Sequence, residues 1–253
     1  MLATTDLRLP DRDRVILVGS LATIAVAAWL ALWAIDGSPL GRYLHHDVVG
    51  PTPLLSVALF TLGWVLMIVA MMLPSSTPLV VIFARLVGRR RRPQRLVVLL
   101  LTGYLLVWGG FGFAAWIADR GIHAAADALP WLGEHPQLII GATLLAAGLW
   151  QFSPLRDRCL DECRSPLGFV LNRWRGTSER REALLLGVAH GAFCIGCCWS
   201  LMLVMFGVGL TSLSAMLVLG GLTAVEKNLA AGRRLTRPLG FALILAAVYA
   251  VAA

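Results

Sequence analysis

Long apolar runs, separated by short polar and basic segments, recur from near the N-terminus to the last residue of the chain. A membrane-spanning helix needs about 20 mostly apolar residues. The pattern predicts seven spans, of which the fourth, sixth and seventh are short or interrupted, at 15–35, 54–83, 96–118, 138–152, 183–209, 212–231 and 238–253. We therefore expect an all-α, polytopic membrane helix bundle.

The positions of the basic residues predict how the spans are oriented in the membrane. With a cytoplasmic N-terminus, 20 of the 22 Lys and Arg residues fall in cytoplasmic segments. Cytoplasmic loops are enriched in Lys and Arg, so the alternation predicts an N-terminus inside and a C-terminus outside. The run 15–35 is too long for the core of a signal peptide, which predicts an uncleaved first helix. No linker is long enough to separate two domains, so residues 1–253 are expected to form a single membrane domain.

Composition excludes one partner class. The chain is 58% apolar and 14% charged, with a net charge of +8. Its basic residues lie in short blocks between apolar runs and form no soluble basic face, so we expect lipid and no nucleic acid as a partner. In the largest cytoplasmic segment, 153–182, four apolar residues at helical spacing predict a short interfacial helix: Leu167, Val170, Leu171 and Trp174. A solvated basic loop is the alternative.

All five cysteines lie within 40 residues, and three of them fall in the apolar stretch "GVAHGAFCIGCCWSLMLVMFGVG". On a helix, His190, Cys194, Cys197 and Cys198 lie within an arc of about 120°. Gly187 and Gly191 lie on the same arc and should let a neighbouring helix approach closely. A lone membrane cysteine usually packs as a small apolar residue, but an intramembrane histidine is costly and indicates function. Met202 and Met205 continue the stripe.

Cys159 and Cys163 stand four residues apart in "CLDEC", which places both thiols on one side of a helical turn. The predicted topology puts this pair on the cytoplasmic side. Because thiols stay reduced there, a structural disulfide is not expected.

Two further spans contribute candidate ligands. Pro74 and Pro78 predict a kink or break in the second span beside Met71 and Met72, unless Ser75, Ser76 or Thr77 restores the lost hydrogen bonds. The sixth span has only 14 apolar or small residues before Glu226, so this carboxylate should be drawn to the membrane edge and could face the bundle. Lys227 is expected to snorkel outward.

These residues predict a metal site in the cytoplasmic half of the membrane. Thiolate and thioether sulfurs with one imidazole favour Cu(I), and Zn(II) is the alternative that needs only Cys and His. The candidate ligands are His190, Cys194, Cys197, Cys198, Cys159, Cys163, Met71, Met72 and Glu226.

Four sequence motifs carry a resemblance: "AMMLPSSTP", "GYLLVWGGFG", "AAGLWQFSPLRDRCLDECRSP" and "GVAHGAFCIGCCWSLMLVMFGVGLTSL" followed by "LTAVEKN". Together they resemble a bacterial family of unknown function known as predicted metal-binding integral membrane proteins, from about Leu54 to Asn228. The resemblance implies a helical protein of the bacterial inner (plasma) membrane with a metal site at the matched cysteines and histidine. It implies no substrate or reaction.

Three functions remain open at the level of sequence. The first is a membrane protein that holds or moves a soft metal ion, with a cytosolic metal donor or acceptor as partner. The second is a thiol–disulfide electron carrier that uses the CxxC pair Cys194 and Cys197 together with Cys159 and Cys163. The third is a structural or assembly partner in a membrane complex, with incidental cysteines. No Ser/His/Asp array, phosphate loop or carboxylate pair predicts a hydrolase.

Overall fold

A computed structural model describes residues 11–38, 53–208, 212–229 and 231–252. Over these ranges the regular structure is helical, which confirms the all-α fold class. The helices are α1 Asp11–Asp36, α2 Pro53–Val87, α3 Pro93–Ala128, α4 Pro130–Gly133, α5 Pro136–Trp150, α6 Pro154–Arg164, α7 Pro166–Arg173, α8 Glu179–Val208, α9 Leu213–Asn228 and α10 Gly232–Ala252.

Proline sets most of the helix starts. Helices α2 to α7 each begin with this residue. Proline lacks the N–H that would be unpaired in the first turn, and its fixed φ already suits a helix. The Ser153 hydroxyl accepts the backbone N–H of Leu155 at 3.3 Å and so caps α6.

Five of the described helices are long and apolar enough to cross a membrane: α1, α2, α3, α8 and α10. A sixth candidate is the pair α5 and α6, which is bent by 65°. The sixth predicted span corresponds to α9, which has 16 residues and falls short of the length a span needs. The polytopic bundle is confirmed, and within the described ranges these criteria support five or six spans where the sequence predicts seven. The direction of insertion stays a prediction.

Helix α2 runs through both of its prolines as one helix, so the predicted break does not occur. Pro74 cannot donate to the carbonyl of Ala70, and the Trp29 indole of α1 donates to that oxygen at 3.2 Å instead. The Ser75 hydroxyl donates to the Met72 carbonyl at 2.8 Å. The lost hydrogen bonding is thus replaced partly from a neighbouring helix.

Helix α8 lies at the centre of the bundle and packs against α3, α5, α6 and α9. A Cβ on Gly187 would overlap the Leu100 carbonyl of α3, and one on Gly191 would lie 3.2 Å from the Tyr104 carbonyl. The predicted close approach at these two glycines is confirmed, and the helix that approaches is α3.

The segment after α6 forms the short helix α7. Its Phe169 and Val170 side chains are buried, while Leu167 and Leu171 are exposed. A helix is therefore confirmed within 153–182, and the contact of its exposed leucines with the membrane surface stays a prediction.

Candidate metal centre

A cluster of buried sulfur atoms lies between α2, α6 and α8. We define the sulfur cluster as Cys194, Cys197 and Cys198 of α8, Met72 of α2 and Cys163 of α6. The three α8 cysteines and Met72 are at most 2% exposed. Cys198 Sγ lies 4.0 Å from Met72 Sδ, and the Cys163 thiol interacts with that of Cys197. Three helices that are far apart in sequence thus bring soft ligands together.

Helix α6 packs the "CLDEC" cysteines onto the α8 cysteines. The Cys159 sulfur lies so close to the backbone of Gly196 that a Cβ there would be 2.5 Å from it. Trp150, the last residue of α5, donates its indole N–H to the Gly196 carbonyl at 3.1 Å. The absence of a side chain at Gly196 therefore allows α6 to pack closely against α8. All five cysteines are free thiols.

The ammonium group of Lys227 lies inside the sulfur cluster. Its Nζ donates to Cys194 Sγ at 2.9 Å and lies 3.9 Å from Met72 Sδ. The side chain is 6% exposed, so the expectation that Lys227 snorkels outward was wrong. A signal was available in the sequence, because Lys227 is the only lysine among 253 residues.

A chain of polar side chains links His190 to the sulfur cluster. His190 Nε2 is 3.1 Å from Ser76 Oγ, which donates to the Tyr104 hydroxyl at 3.5 Å. That hydroxyl is 3.3 Å from Cys194 Sγ. The sequence predicts for Ser76 only a role in restoring hydrogen bonds at the prolines, and it gives no signal that Tyr104 of "GYLLVWGGFG" contacts a cysteine. His190 therefore reaches Cys194 through α2 and α3, not directly.

The imidazole of His190 is held by aromatic rings. It stacks on Tyr104 with ring centroids 5.4 Å apart and meets Phe169 of α7 edge-on at 5.6 Å. Its Nδ1 is buried and has no hydrogen-bond partner among the described residues. One ring nitrogen thus remains available as a ligand or as a proton donor.

Two of the predicted ligands point elsewhere. Glu226 is buried in an ion pair with Arg156 at 2.6 Å, and its second oxygen accepts the Thr236 hydroxyl at 3.1 Å. Met71 packs against Gly220 of α9, where a Cβ would lie 3.4 Å from its side chain. In this arrangement neither residue joins the sulfur cluster.

Within the described part of the chain, no three His, Cys, Asp or Glu side chains are arranged to hold a metal ion. A physical reason is visible at the cysteines. The thiols of Cys197 and Cys198 both donate to the Cys194 carbonyl, at 3.1 and 2.9 Å, so they turn to the backbone instead of to a common point. The donors still fit a soft ion, because thiol and thioether sulfurs select Cu(I).

The structure is that of an integral membrane protein: several helices can cross a membrane, and their core contains a buried cluster of thiols with one thioether. Its family is shown by sequence. The chain belongs to the copper chaperone family PpoB2, whose model matches residues 61–250. This is more specific than the metal-binding family expected from the motifs. Comparison with curated proteins and with solved structures gave no match.

Proposed function

We propose that the protein is a membrane-embedded copper chaperone that holds Cu(I) at the sulfur cluster and passes it to a partner. The observation that carries this proposal is the convergence of Cys194, Cys198, Met72 and Cys163 from three helices in a member of a copper chaperone family. Apolar packing alone requires no such grouping of thiols.

The inner ligands would be Cys194, Cys198 and Met72, which lie deepest and are at most 1% exposed. Cys197, Cys163 and Cys159 would form the outer side, where α6 covers α8. For binding to occur, the Cys197 and Cys198 thiols must leave the Cys194 carbonyl and turn inward. A rotation about χ1 is a small change on the scale of a folded protein.

His190 would act on Cys194 indirectly, through Ser76 and Tyr104. Its Nε2 is engaged by Ser76, so its role is either to fix Cys194 through Tyr104 or to bind metal through the unpartnered Nδ1. Glu226 would act as a ligand only by leaving Arg156, and Met71 only by turning from Gly220. We therefore do not include Glu226 and Met71 among the proposed copper ligands.

The donor set favours Cu(I) over Zn(II). Zinc prefers four tetrahedral ligands from Cys, His and carboxylates. Here a thioether lies among the sulfurs, and the carboxylate of Glu226 is paired with Arg156. Soft sulfur ligands suit Cu(I).

The partner would be a protein that exchanges copper at the α6 side. With the N-terminus inside, as the basic residues predict, α6 faces the cytosol of a bacterial inner membrane. Cys159 and Cys163 would then be the first or last thiols that the ion meets, and a cytosolic metal donor or acceptor would dock there.

Metal analysis of purified protein tests the proposal. Wild-type protein, prepared under reducing and chelator-free conditions and loaded with Cu(I), should retain stoichiometric copper after desalting. A variant carrying Cys194→Ser, Cys197→Ser and Cys198→Ser should retain almost none. Equal copper in the two proteins would overturn the proposal.

A matched control removes two other buried sulfurs from the same helix. Met202 and Met205 are both fully buried in α8. The variant Met202→Leu with Met205→Leu should keep its copper. If this control lost as much copper as the triple serine variant, the loss would reflect damage to α8 and not the removal of ligands.

A second function, a thiol–disulfide electron carrier, is favoured by one observation, the interaction of Cys163 with Cys197. The exchanging pair would then be Cys163 and Cys197 instead of the CxxC pair. A disulfide between them, found by mass spectrometry in oxidant-treated membranes and reversed by a cytosolic reductant, would support this function. Free thiols after the same treatment would remove it.

A further inference from the structure

The ammonium of Lys227 lies beside two of the sulfur atoms proposed to bind copper. Its Nζ is 2.9 Å from Cys194 Sγ and 3.9 Å from Met72 Sδ. Cys198 Sγ is 4.0 Å from the same Met72 sulfur. A metal ion bound to both Cys194 and Met72 would need the volume that the ammonium fills. The two cations therefore exclude each other.

Lysine is the side chain best suited to occupy the position of a small monovalent cation. The other 21 basic residues of the chain are arginines, and the only lysine is at this buried position. Lysine carries a compact point charge on a flexible stem, whereas arginine carries a planar fork. A buried ammonium is costly unless an acceptor or an opposite charge faces it. The sulfur of Cys194 takes that role.

We propose that Lys227 is a tethered monovalent cation that fills the copper position of the empty protein and is displaced when Cu(I) binds. This inference rests on the proposed function. At the position between Cys194 and Met72 the exchange balances in charge, because Cu(I) brings one positive charge and the displaced ammonium removes one. Cys194 is the thiolate before and after this step, so a metal–sulfur bond replaces an ammonium–sulfur hydrogen bond and Cys194 releases no proton. Cys198, whose thiol donates to the Cys194 carbonyl, stays neutral in this step, and its later coordination as a thiolate would release one proton to solvent. No electron is transferred.

Two properties follow for copper handling. With Cys194 as the one thiolate, a divalent ion in the same position would leave one extra, uncompensated charge in a buried site, so this exchange favours Cu(I) and Ag(I) over Zn(II) and Cu(II). The displaced ammonium also remains attached to α9. It can return as the ion leaves, which keeps the empty site compensated and assists release.

The displaced ammonium would reach water at the end of α9. Lys227 is the penultimate residue of α9, and the next two residues, Asn228 and Leu229, are exposed. A change in the lysine side-chain rotamers can move Nζ toward this end of the helix. Lysine side chains commonly extend in this way to bring their charge to an aqueous edge.

Copper release from two variants tests the inference. Lys227→Leu removes the charge and adds no metal-binding atom, and Lys227→Arg keeps a cation. Both are loaded with Cu(I), and transfer to a chelator in excess is followed. Lys227→Leu should bind the same amount of copper but release it about ten- to a hundredfold more slowly, the effect of removing one competing hydrogen bond to a charged group. Lys227→Arg should lie closer to wild type.

A second measurement needs no substitution. With lysine labelled by ¹⁵N, the protein gives one lysine side-chain signal, because the chain has one lysine. On titration with Ag(I), a redox-stable substitute for Cu(I), this signal should move to that of a hydrated ammonium. Zn(II) at equal concentration should not move it.

The outcomes separate the inference from the function on which it rests. Stoichiometric copper with equal or faster release from Lys227→Leu, or a lysine signal that Ag(I) leaves unchanged, would overturn the displacement of Lys227 alone. A wild-type protein that binds no copper would overturn the proposed function and the inference with it. Slower release together with the shifted signal would support both.

Discussion

Arg156 donates to Glu226 at 2.6 Å, and neither side chain is more than 2% exposed. This pair joins α6 to α9. Breaking a buried pair leaves one charge uncompensated, at a cost of about 3–5 kcal/mol. Glu226→Gln should therefore lower the thermal unfolding midpoint in detergent clearly. Asp161→Asn, which removes an exposed pair with Arg233, should cost less than about 1 kcal/mol.

The same pair allows Glu226 to be tested as a ligand. The double variant Arg156→Met with Glu226→Gln removes both charges and should recover most of the lost stability. We expect it to retain copper, since Glu226 faces Arg156 and not the sulfur cluster. Loss of copper from a double variant that folds would instead make this carboxylate a ligand.

The contact of α8 with α3 should tolerate no side chain at Gly187. A Cβ there would overlap the backbone of Leu100, which cannot move aside as a side-chain tip could. Gly187→Ala should destabilise the protein by about 1–3 kcal/mol through overpacking. Gly221→Ala on α9 is the matched control, because nothing lies within 4 Å of its Cβ position. Equal thermal unfolding of both variants would contradict the close packing.

Cys159 and Cys163 should control exchange more than retention. The variant Cys159→Ser with Cys163→Ser keeps Cys194, Cys198 and Met72, so it should hold stoichiometric copper. Its transfer of copper to a cytosolic chelator in inside-out vesicles should fall by about tenfold or more, since the outer thiolates are lost as intermediate ligands. An unchanged rate would remove the hand-over role from this pair.

The predicted direction of insertion can be tested by single cysteines in a cysteine-free background. Arg91 and Glu134 are both exposed and lie on opposite sides of the predicted topology. A membrane-impermeant maleimide added to intact cells should label Glu134→Cys and spare Arg91→Cys until the membrane is opened. The reverse pattern would invert the topology.

Local sequence patterns predicted the parts of the site that depend on one helix. The spacing of Cys194, Cys197 and Cys198 placed their thiols on one face, and the two glycines correctly marked a close helix contact. These conclusions need only the 3.6-residue repeat and the size of each side chain. Membrane-span composition likewise predicted the all-α bundle.

The remaining parts depend on contacts between distant helices. Lys227 and Glu226 are neighbours at the end of a short apolar run, and the local sequence does not predict which of the two contacts a thiol and which an arginine. The contact is determined by Arg156, 70 residues before Glu226, which binds the carboxylate. The proline break in α2 was expected from local chemistry, but an indole 41 residues away replaces the missing donor.

Helix α6 depends on residues that are made much later than itself. Its Arg156 pairs with a carboxylate 70 residues further on, and its Asp161 pairs with Arg233, 72 residues further on. On the ribosome, both of these α6 side chains therefore lack their partners until α9 and the start of α10 have been synthesised. These contacts cannot fix α6 against α9 and α10 before then. The nascent chain thus carries its five thiols for some time before their final surroundings exist, and copper captured during that interval would be bound by an unfinished protein.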